Sequence, residues 1–147
     1  MKSWEFCKNI YQGTMIEVNN LTASQIGKEF LKKVAKKVLK GENKEGLELS
    51  IALVGQSRIR KLNKKYRGND RPTDVLSFPA DTGGELIICL SEVKKNAKRY
   101  SLTFQEELAK VLIHGVLHLL GYEHEKSATK ADRMRKKEEH YLEISKS

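Results

Sequence analysis

The sequence contains few cysteine, proline and aromatic residues. Of its 147 residues, two are cysteine, two are proline and 7% are aromatic. Cys7 and Cys89 form no CxxC pair, so we expect reduced thiols in a cytoplasmic protein rather than a disulfide framework. Cys89 lies inside the apolar run 86–90, where a small buried thiol is the simplest interpretation. With so few aromatic side chains, no platform for stacking nucleobases is evident.

Long apolar runs are also missing. Residues 1–6 contain no apolar segment of the kind that signal peptides have, and no stretch is long enough to span a membrane. We therefore expect a cytoplasmic protein with no membrane partner. Its length suits a single domain over residues 1–147 with its own hydrophobic core, in which residues 1–13 are a poorly patterned leader.

The charge is strongly positive. Lysine and arginine number 28 against 19 aspartates and glutamates, which gives a formal net charge of +9. Two interpretations are open at this point. A lysine-rich solvated surface is common in heat-adapted proteins, whereas a basic surface also suits a polyanionic partner.

Hydrophobic periodicity predicts strands over about 14–18, 47–54 and 85–90, and helices over about 23–40, 57–66, 91–100, 103–120 and 127–144. Helix caps are predicted at Thr22, Ser91 and Thr103, the last in a capping box with Glu106. Residues 66–79 hold both prolines and predict a shaped loop that leads into a short extended, antiparallel segment. The pattern predicts an α+β fold, in which a small mixed β-sheet packs with about five helices.

The almost wholly apolar helix before residue 121 carries the most informative pattern. The sequence has only four histidines, and three of them form the pattern His-x3-His-x5-His at His114, His118 and His124. Residues four apart lie one turn apart on the same face of a helix, so His114 and His118 can act together. Gly121 can end the helix in a left-handed conformation and turn the chain back, which would bring His124 toward the other two.

Three imidazoles with one open coordination position are the ligand set of a catalytic zinc ion or of a related divalent transition metal. The open position holds a water molecule whose pKa the metal lowers to about 7. A lone histidine on an apolar helix is more often a hydrogen-bonded core residue, but two unpaired buried imidazoles would be costly without a metal. We therefore predict one Zn²⁺ per chain, bound by His114, His118 and His124.

The spacing is that of the metzincin peptidases, His-Glu-x-x-His-x-x-Gly-x-x-His, with one decisive difference. The glutamate that serves those enzymes as general base is replaced here by Gly115. The nearest other carboxylates in sequence are Glu123 and Glu125. This difference weakens the case for an ordinary peptidase.

A metal site without that carboxylate is also compatible with attack on a phosphodiester, where the metal polarises a phosphoryl oxygen or activates water. Such a reaction needs a cation to stabilise the charge that develops on the phosphoryl group. Arg67 and Arg71, in the shaped loop region, are candidates by residue type.

The motif His114-Gly-Val-Leu-His118-Leu-Leu-Gly121-Tyr-Glu-His124 resembles the signature of the YbeY family of bacterial ribosomal-RNA maturation endoribonucleases. The similarity covers about residues 47–140. It also includes Leu62-Asn63, Tyr66-Arg67, Pro72-Thr-Asp-Val-Leu-Ser-Phe-Pro79, Gly84-Glu-Leu-Ile-Ile88, Met134 and Glu138-Glu139. Two departures are mild, since Glu85 and Glu123 stand where the family usually has aspartate. Glu123 neighbours a predicted ligand, so the surroundings of the site differ there.

The resemblance implies a zincin-like domain and a zinc-dependent, single-strand-directed endoribonuclease. Its implied substrate is ribosomal RNA, chiefly the 3′ end of the small-subunit RNA, and it implies a part in ribosome quality control. Ribosomal RNA and ribosomal particles are the implied partners. The three metal ligands of the family match His114, His118 and His124.

The functionally important arginine of the family matches Arg67, which the resemblance assigns to the scissile phosphate. A second interpretation is that Arg67 forms a loop-stabilising ion pair with Asp70 or Asp74. For Asp74 and Ser77 we favour structural roles in the same loop.

Two other functions remain open on the sequence. One is a ribosome-associated assembly factor whose metal is structural, although three histidines are unusual for a closed structural site. The other is a zincin-like hydrolase of a different substrate, against which the missing glutamate at position 115 counts.

Overall fold

The structure, a computed structural model, describes residues 15–123 and 127–146. The leader predicted over 1–13 and the predicted ligand His124 therefore lie outside the described residues.

This part of the chain forms four strands and five helices, in the order strand, helix, strand, helix, two strands and three helices. The strands are β1 (Met15–Asn20), β2 (Glu48–Val54), β3 (Val75–Ala80) and β4 (Gly83–Cys89). The helices are α1 (Lys28–Gly41), α2 (Gln56–Arg67), α3 (Leu90–Arg99), α4 (Phe104–Leu119) and α5 (Ala128–Ser145). The α+β class with about five helices is thus confirmed.

The four strands form one mixed sheet in the order β1-β2-β4-β3. Strand β2 pairs in parallel with both β1 and β4, whereas β3 pairs antiparallel with β4. The central strand β4 is apolar on both faces because helices cover both. Leu86 and Ile88 pack in the main core with α1, α4 and α5, while Ile87 and Cys89 pack with Ile59 of α2 on the opposite face.

Two of the three predicted helix caps are wrong. Helix α1 begins at Lys28 with Gly27 as its N-cap, and the Thr22 hydroxyl instead donates a 2.6 Å hydrogen bond to the Asn20 side chain. Such local side-chain bonds compete with helix capping. Helix α3 follows β4 without a loop, so its N-cap is Cys89 and Ser91 already lies inside the helix.

The third cap is confirmed. The Thr103 hydroxyl accepts a 3.1 Å hydrogen bond from the Glu106 amide, and the Glu106 carboxylate accepts a 3.2 Å bond from the Thr103 amide. This capping box fixes the start of α4, the helix that carries His114 and His118. Cys89 is completely buried, as expected. None of the helices in the described part of the chain is both long and apolar enough to cross a membrane.

Candidate metal centre

His114 and His118 lie one turn apart on α4 and line the same cleft. Their Nε2 atoms are 3.1 Å apart, and the two rings stand nearly perpendicular at 78°. Two imidazole nitrogens on one tetrahedral zinc ion are about 3.3 Å apart, because the Zn–N distance is about 2.0–2.1 Å. The spacing of the two side chains therefore fits a shared metal ion.

Helix α5 supplies a carboxylate to the first histidine. The Glu138 Oε1 atom lies 2.5 Å from Nδ1 of His114. A carboxylate at Nδ1 favours the tautomer with its proton on that nitrogen, which leaves the Nε2 lone pair for a metal. The resemblance included Glu138, but sequence reasoning gave it no role, because nothing in a charged helix indicates which carboxylate faces inward.

The turn after α4 has the geometry that the sequence predicts for Gly121. The helix ends at Leu119, and Gly121 takes the left-handed conformation with φ of 97°. The amides of Gly121 and Tyr122 donate 3.0 and 3.1 Å hydrogen bonds to the carbonyls of His118 and Leu117. These two backbone hydrogen bonds together form a Schellman motif. It reverses the chain direction just before residue 124 in the sequence.

A partly buried carboxylate fixes that turn to the rest of the molecule. Glu42, just after α1, accepts hydrogen bonds from the hydroxyls of Tyr122 (2.6 Å) and Tyr141 and from the Lys137 ammonium (3.1 Å). Burial by itself would raise the pKa of Glu42, but these three donors outweigh it and lower the pKa below the ordinary value. The turn is therefore held by α1 and α5 as well as by α4.

In the described part of the chain, no group of three His, Cys, Asp or Glu side chains could hold a metal ion. His124 lies outside that part, two residues after Tyr122 in sequence. The third ligand therefore remains a prediction.

Gly115 packs closely against the sheet. A Cβ atom on this residue would lie 2.9 Å from Leu86 Cδ2 and 3.3 Å from Val75 Cγ2. Leu86 is completely buried in the main core. Position 115 therefore faces the sheet, and a glutamate there would be buried without a partner.

The cleft beside the histidines has a volume of about 800 Å³ and lies between α4, strand β3 and the loop that precedes β3. It is lined by Asn63, Arg67, Asn69, Arg71, Pro72, Thr73, Asp74, Val75, Leu76, Ser77, Pro79, His114, His118, Gly121, Tyr122 and Glu123. Arg67, Arg71 and the two histidines are thus brought together, although more than 40 residues separate them in the sequence. No local sequence signal could have placed them side by side.

Arg67 is the last residue of α2 and is fixed in place by β3. Its Nη2 donates a 2.8 Å hydrogen bond to the Ser77 carbonyl, and its guanidinium carbon is 5.8 Å from the centre of the Phe78 ring. The Ser77 hydroxyl in turn donates a 3.3 Å bond to the Gly115 carbonyl on α4. A short chain of contacts therefore connects Arg67 to the histidine helix.

Among the described residues, Arg67 forms no ion pair with Asp70 or Asp74. Asp70 instead pairs with Arg60 at 2.9 Å and with Lys64 at 3.9 Å. Asp74 accepts a 3.4 Å hydrogen bond from Asn96, and its carbonyl accepts a 2.9 Å bond from the Cys89 amide. These contacts of Asp74 agree with the structural role that the sequence favours.

Comparison with known proteins gives a consistent result. A family model described as Endoribonuclease YbeY matches residues 15–146. A protein named Endoribonuclease YbeY from Sulfurihydrogenibium sp. (strain YO3AOP1) is 43% identical over 127 residues, which cover 80% of this chain and 84% of that protein. One of the same name from Persephonella marina is 42% identical over 118 residues, covering 74% of this chain and 77% of that protein.

A solved structure is also similar. The solution structure of TM1509 from Thermotoga maritima has a TM-score of 0.66 and 36% sequence identity, and the match covers 89% of each chain.

Proposed function

The chain belongs to the YbeY endoribonuclease family, and we propose that it is a zinc-dependent endoribonuclease that cleaves single-stranded ribosomal RNA. The substrate we propose is chiefly the 3′ end of the small-subunit RNA, on ribosomal particles in the cytoplasm, with a part in ribosome quality control. The observation that carries the proposal is the convergence of His114, His118 and Arg67 on one cleft.

The residues that would hold the metal are His114, His118 and His124, with one zinc ion per chain in a zincin-like site. Zinc, when bound there, supplies a Lewis acid for a phosphoryl oxygen and lowers the pKa of water to about 7. Glu138 holds the proton of His114 on Nδ1 and so keeps Nε2 available as a donor atom.

Arg67 contributes the positive charge. Because one of its nitrogens already bonds the Ser77 carbonyl, the guanidinium is oriented before substrate binds, and its remaining N–H groups can contact phosphate oxygens. A preoriented cation stabilises the charge that develops on the phosphoryl group in the transition state. The basic surface adds phosphate contacts that do not depend on sequence.

The test measures metal content and RNA cleavage together, for the wild-type protein and for His118→Ala. We expect one zinc per wild-type chain, and loss of both metal and cleavage in the variant. His140→Ala is the matched control, because His140 is an exposed histidine on α5 and its removal should change neither quantity.

Other outcomes separate the alternatives. Tightly held metal with no cleavage of any RNA, including ribosomal precursor, would favour an assembly factor with a structural metal. Metal-dependent cleavage of peptides but not of RNA would favour another hydrolase. Full activity of a metal-free protein would contradict the mechanism.

A further inference from the structure

An exposed aromatic ring lies beside the cleft. Tyr66, the residue before Arg67 on α2, keeps 56% of its surface exposed. Its ring contacts Phe78 edge to face, with 5.3 Å between the ring centroids. The ring is therefore accessible to solvent and has a fixed support on strand β3, which also carries the Ser77 carbonyl that holds Arg67.

Tyr66 and Arg67 share this support. The Arg67 guanidinium lies 5.8 Å from the centre of the same Phe78 ring that Tyr66 contacts. A phosphate at Arg67 and a base on Tyr66 would thus be neighbours along one strand of nucleic acid. Every base has an apolar face that stacks on an aromatic ring, so such a site needs no particular sequence.

The charges near Tyr66 favour a polyanion on the α2 side of the ring. The Lys65 ammonium lies 5.2 Å from the centre of the Tyr66 ring. Helix α2 contains six basic residues and no acidic ones: Arg58, Arg60, Lys61, Lys64, Lys65 and Arg67. Phe78 also borders a hollow lined by Glu17, Glu48 and Glu85, which would repel phosphate.

We propose that Tyr66, supported by Phe78, is a stacking subsite for an unpaired nucleobase of RNA next to the phosphate that Arg67 contacts. This inference rests on the proposed function, since it takes single-stranded RNA as the ligand of the cleft. It assigns a base-stacking role to an aromatic residue. The low aromatic content of the sequence did not indicate such a role.

The chain contains a matched control for this site. Tyr100 is 53% exposed, and the Lys110 ammonium lies 5.0 Å from its ring centre. Tyr66 and Tyr100 therefore have similar exposure and a similar cationic neighbour. They differ in that Tyr66 adjoins a residue of the cleft and Tyr100 does not.

The test is binding of a fluorescently labelled 2′-O-methyl RNA of about 12 nucleotides, a length within the usual site size of single-strand binders. Affinity is measured by fluorescence anisotropy with the zinc-loaded full chain, and gels verify that the RNA stays intact. Tyr66→Ala should weaken binding by about 5- to 100-fold, the usual effect of removing one stacking ring. Tyr66→Phe and Tyr100→Ala should remain close to wild type.

A probe with abasic sugars distinguishes stacking from a structural effect. Loss of the bases should weaken binding to the wild-type chain but have little further effect on Tyr66→Ala. Equal affinities of Tyr66→Ala and Tyr100→Ala for the intact RNA would overturn the proposal.

A second readout does not depend on affinity or on the stability of the alanine variant. The wild-type signal is subtracted, so that only the fluorescence of the new indole is measured. RNA should quench this fluorescence in Tyr66→Trp and should change it little in Tyr100→Trp. Absence of quenching in a folded, RNA-bound Tyr66→Trp would also overturn the subsite. If the protein cuts no RNA but its RNA binding still depends on Tyr66, the proposed function is refuted. The stacking subsite would still be supported by that result.

Discussion

The Glu138 carboxylate lies 2.5 Å from Nδ1 of His114, across the interface between α4 and α5. Replacing Glu138 with alanine is expected to reduce zinc affinity by about 10- to 100-fold, because the imidazole loses both its orientation and part of its basicity. Affinity can be measured by competition with a chromogenic chelator. Glu139→Ala is the control, since Glu139 is an exposed partner of Arg135 on the same helix. Equal zinc affinities in the two variants would contradict the role given to Glu138.

The Arg67 side chain is expected to act in the chemical step more than in binding. Arg67→Ala should lower kcat for RNA cleavage by about 100- to 1,000-fold, the usual effect of removing one donor to a developing oxyanion. Arg67→Lys should restore little of that activity, because an ammonium lacks the planar fork.

The control for Arg67 is Arg58→Ala, at an exposed position in the first turn of the same helix. It should leave kcat unchanged and weaken binding modestly, with a smaller dependence on salt. If Arg67→Ala and Arg58→Ala lower kcat equally, Arg67 has no specific role in the chemical step.

Glu42 predicts a pH dependence of stability. Its three donors lower its pKa in the folded protein, so the unfolded chain binds the proton more readily. The stabilisation is therefore fully present above the ordinary pKa of 4.5 and is lost as the pH falls through the lower folded value. Glu42→Gln should lower the free energy of unfolding by about 1–3 kcal/mol at neutral pH, and this difference should shrink in acid.

Urea denaturation of wild type and Glu42→Gln at neutral and acid pH measures this difference. Glu45→Gln serves as the control, since Glu45 is an exposed residue close by in sequence and should have no effect at either pH. A difference between wild type and Glu42→Gln that stays constant with pH would show that the charge of Glu42 contributes nothing.

The close packing of Gly115 should prevent the introduction of a glutamate at this position, where metzincin peptidases have their general base. Gly115→Ala should destabilise the protein by about 1–3 kcal/mol through overpacking against Leu86, as measured by urea denaturation. Gly115→Glu should cost more, because it also buries a carboxylate, and it should gain no peptidase activity. Gly46→Ala is the control, since a Cβ atom there would contact nothing within 4 Å. A stable Gly115→Glu that cleaves peptides would refute this account of the α4 packing.

Features with a local cause could be predicted from the sequence. The capping box at Thr103 and the turn at Gly121 depend on residues three to five positions apart, and both occur as expected. Local patterns can also mislead. Thr22 and Ser91 are typical cap residues, but Thr22 bonds to the Asn20 side chain at the end of β1, and Ser91 follows a strand that continues directly into a helix.

Features that depend on tertiary packing could not be predicted. The contact of Glu138 with His114, and that of Tyr66 with Phe78, each join two secondary structure elements. Hydrophobic periodicity reports which face of an element is buried, but it does not report which polar side chain on one element will face a given side chain on another.

The contact between Gly115 and the sheet also bears on how position 115 of this chain could change in evolution. The two side chains that exclude a larger residue, Leu86 and Val75, belong to different strands. A glutamate at position 115 would displace both side chains, whereas smaller residues at these two places without the glutamate would leave a cavity. Acquiring the glutamate of the metzincin motif at position 115 would therefore require adjustment of two strands as well as of helix α4.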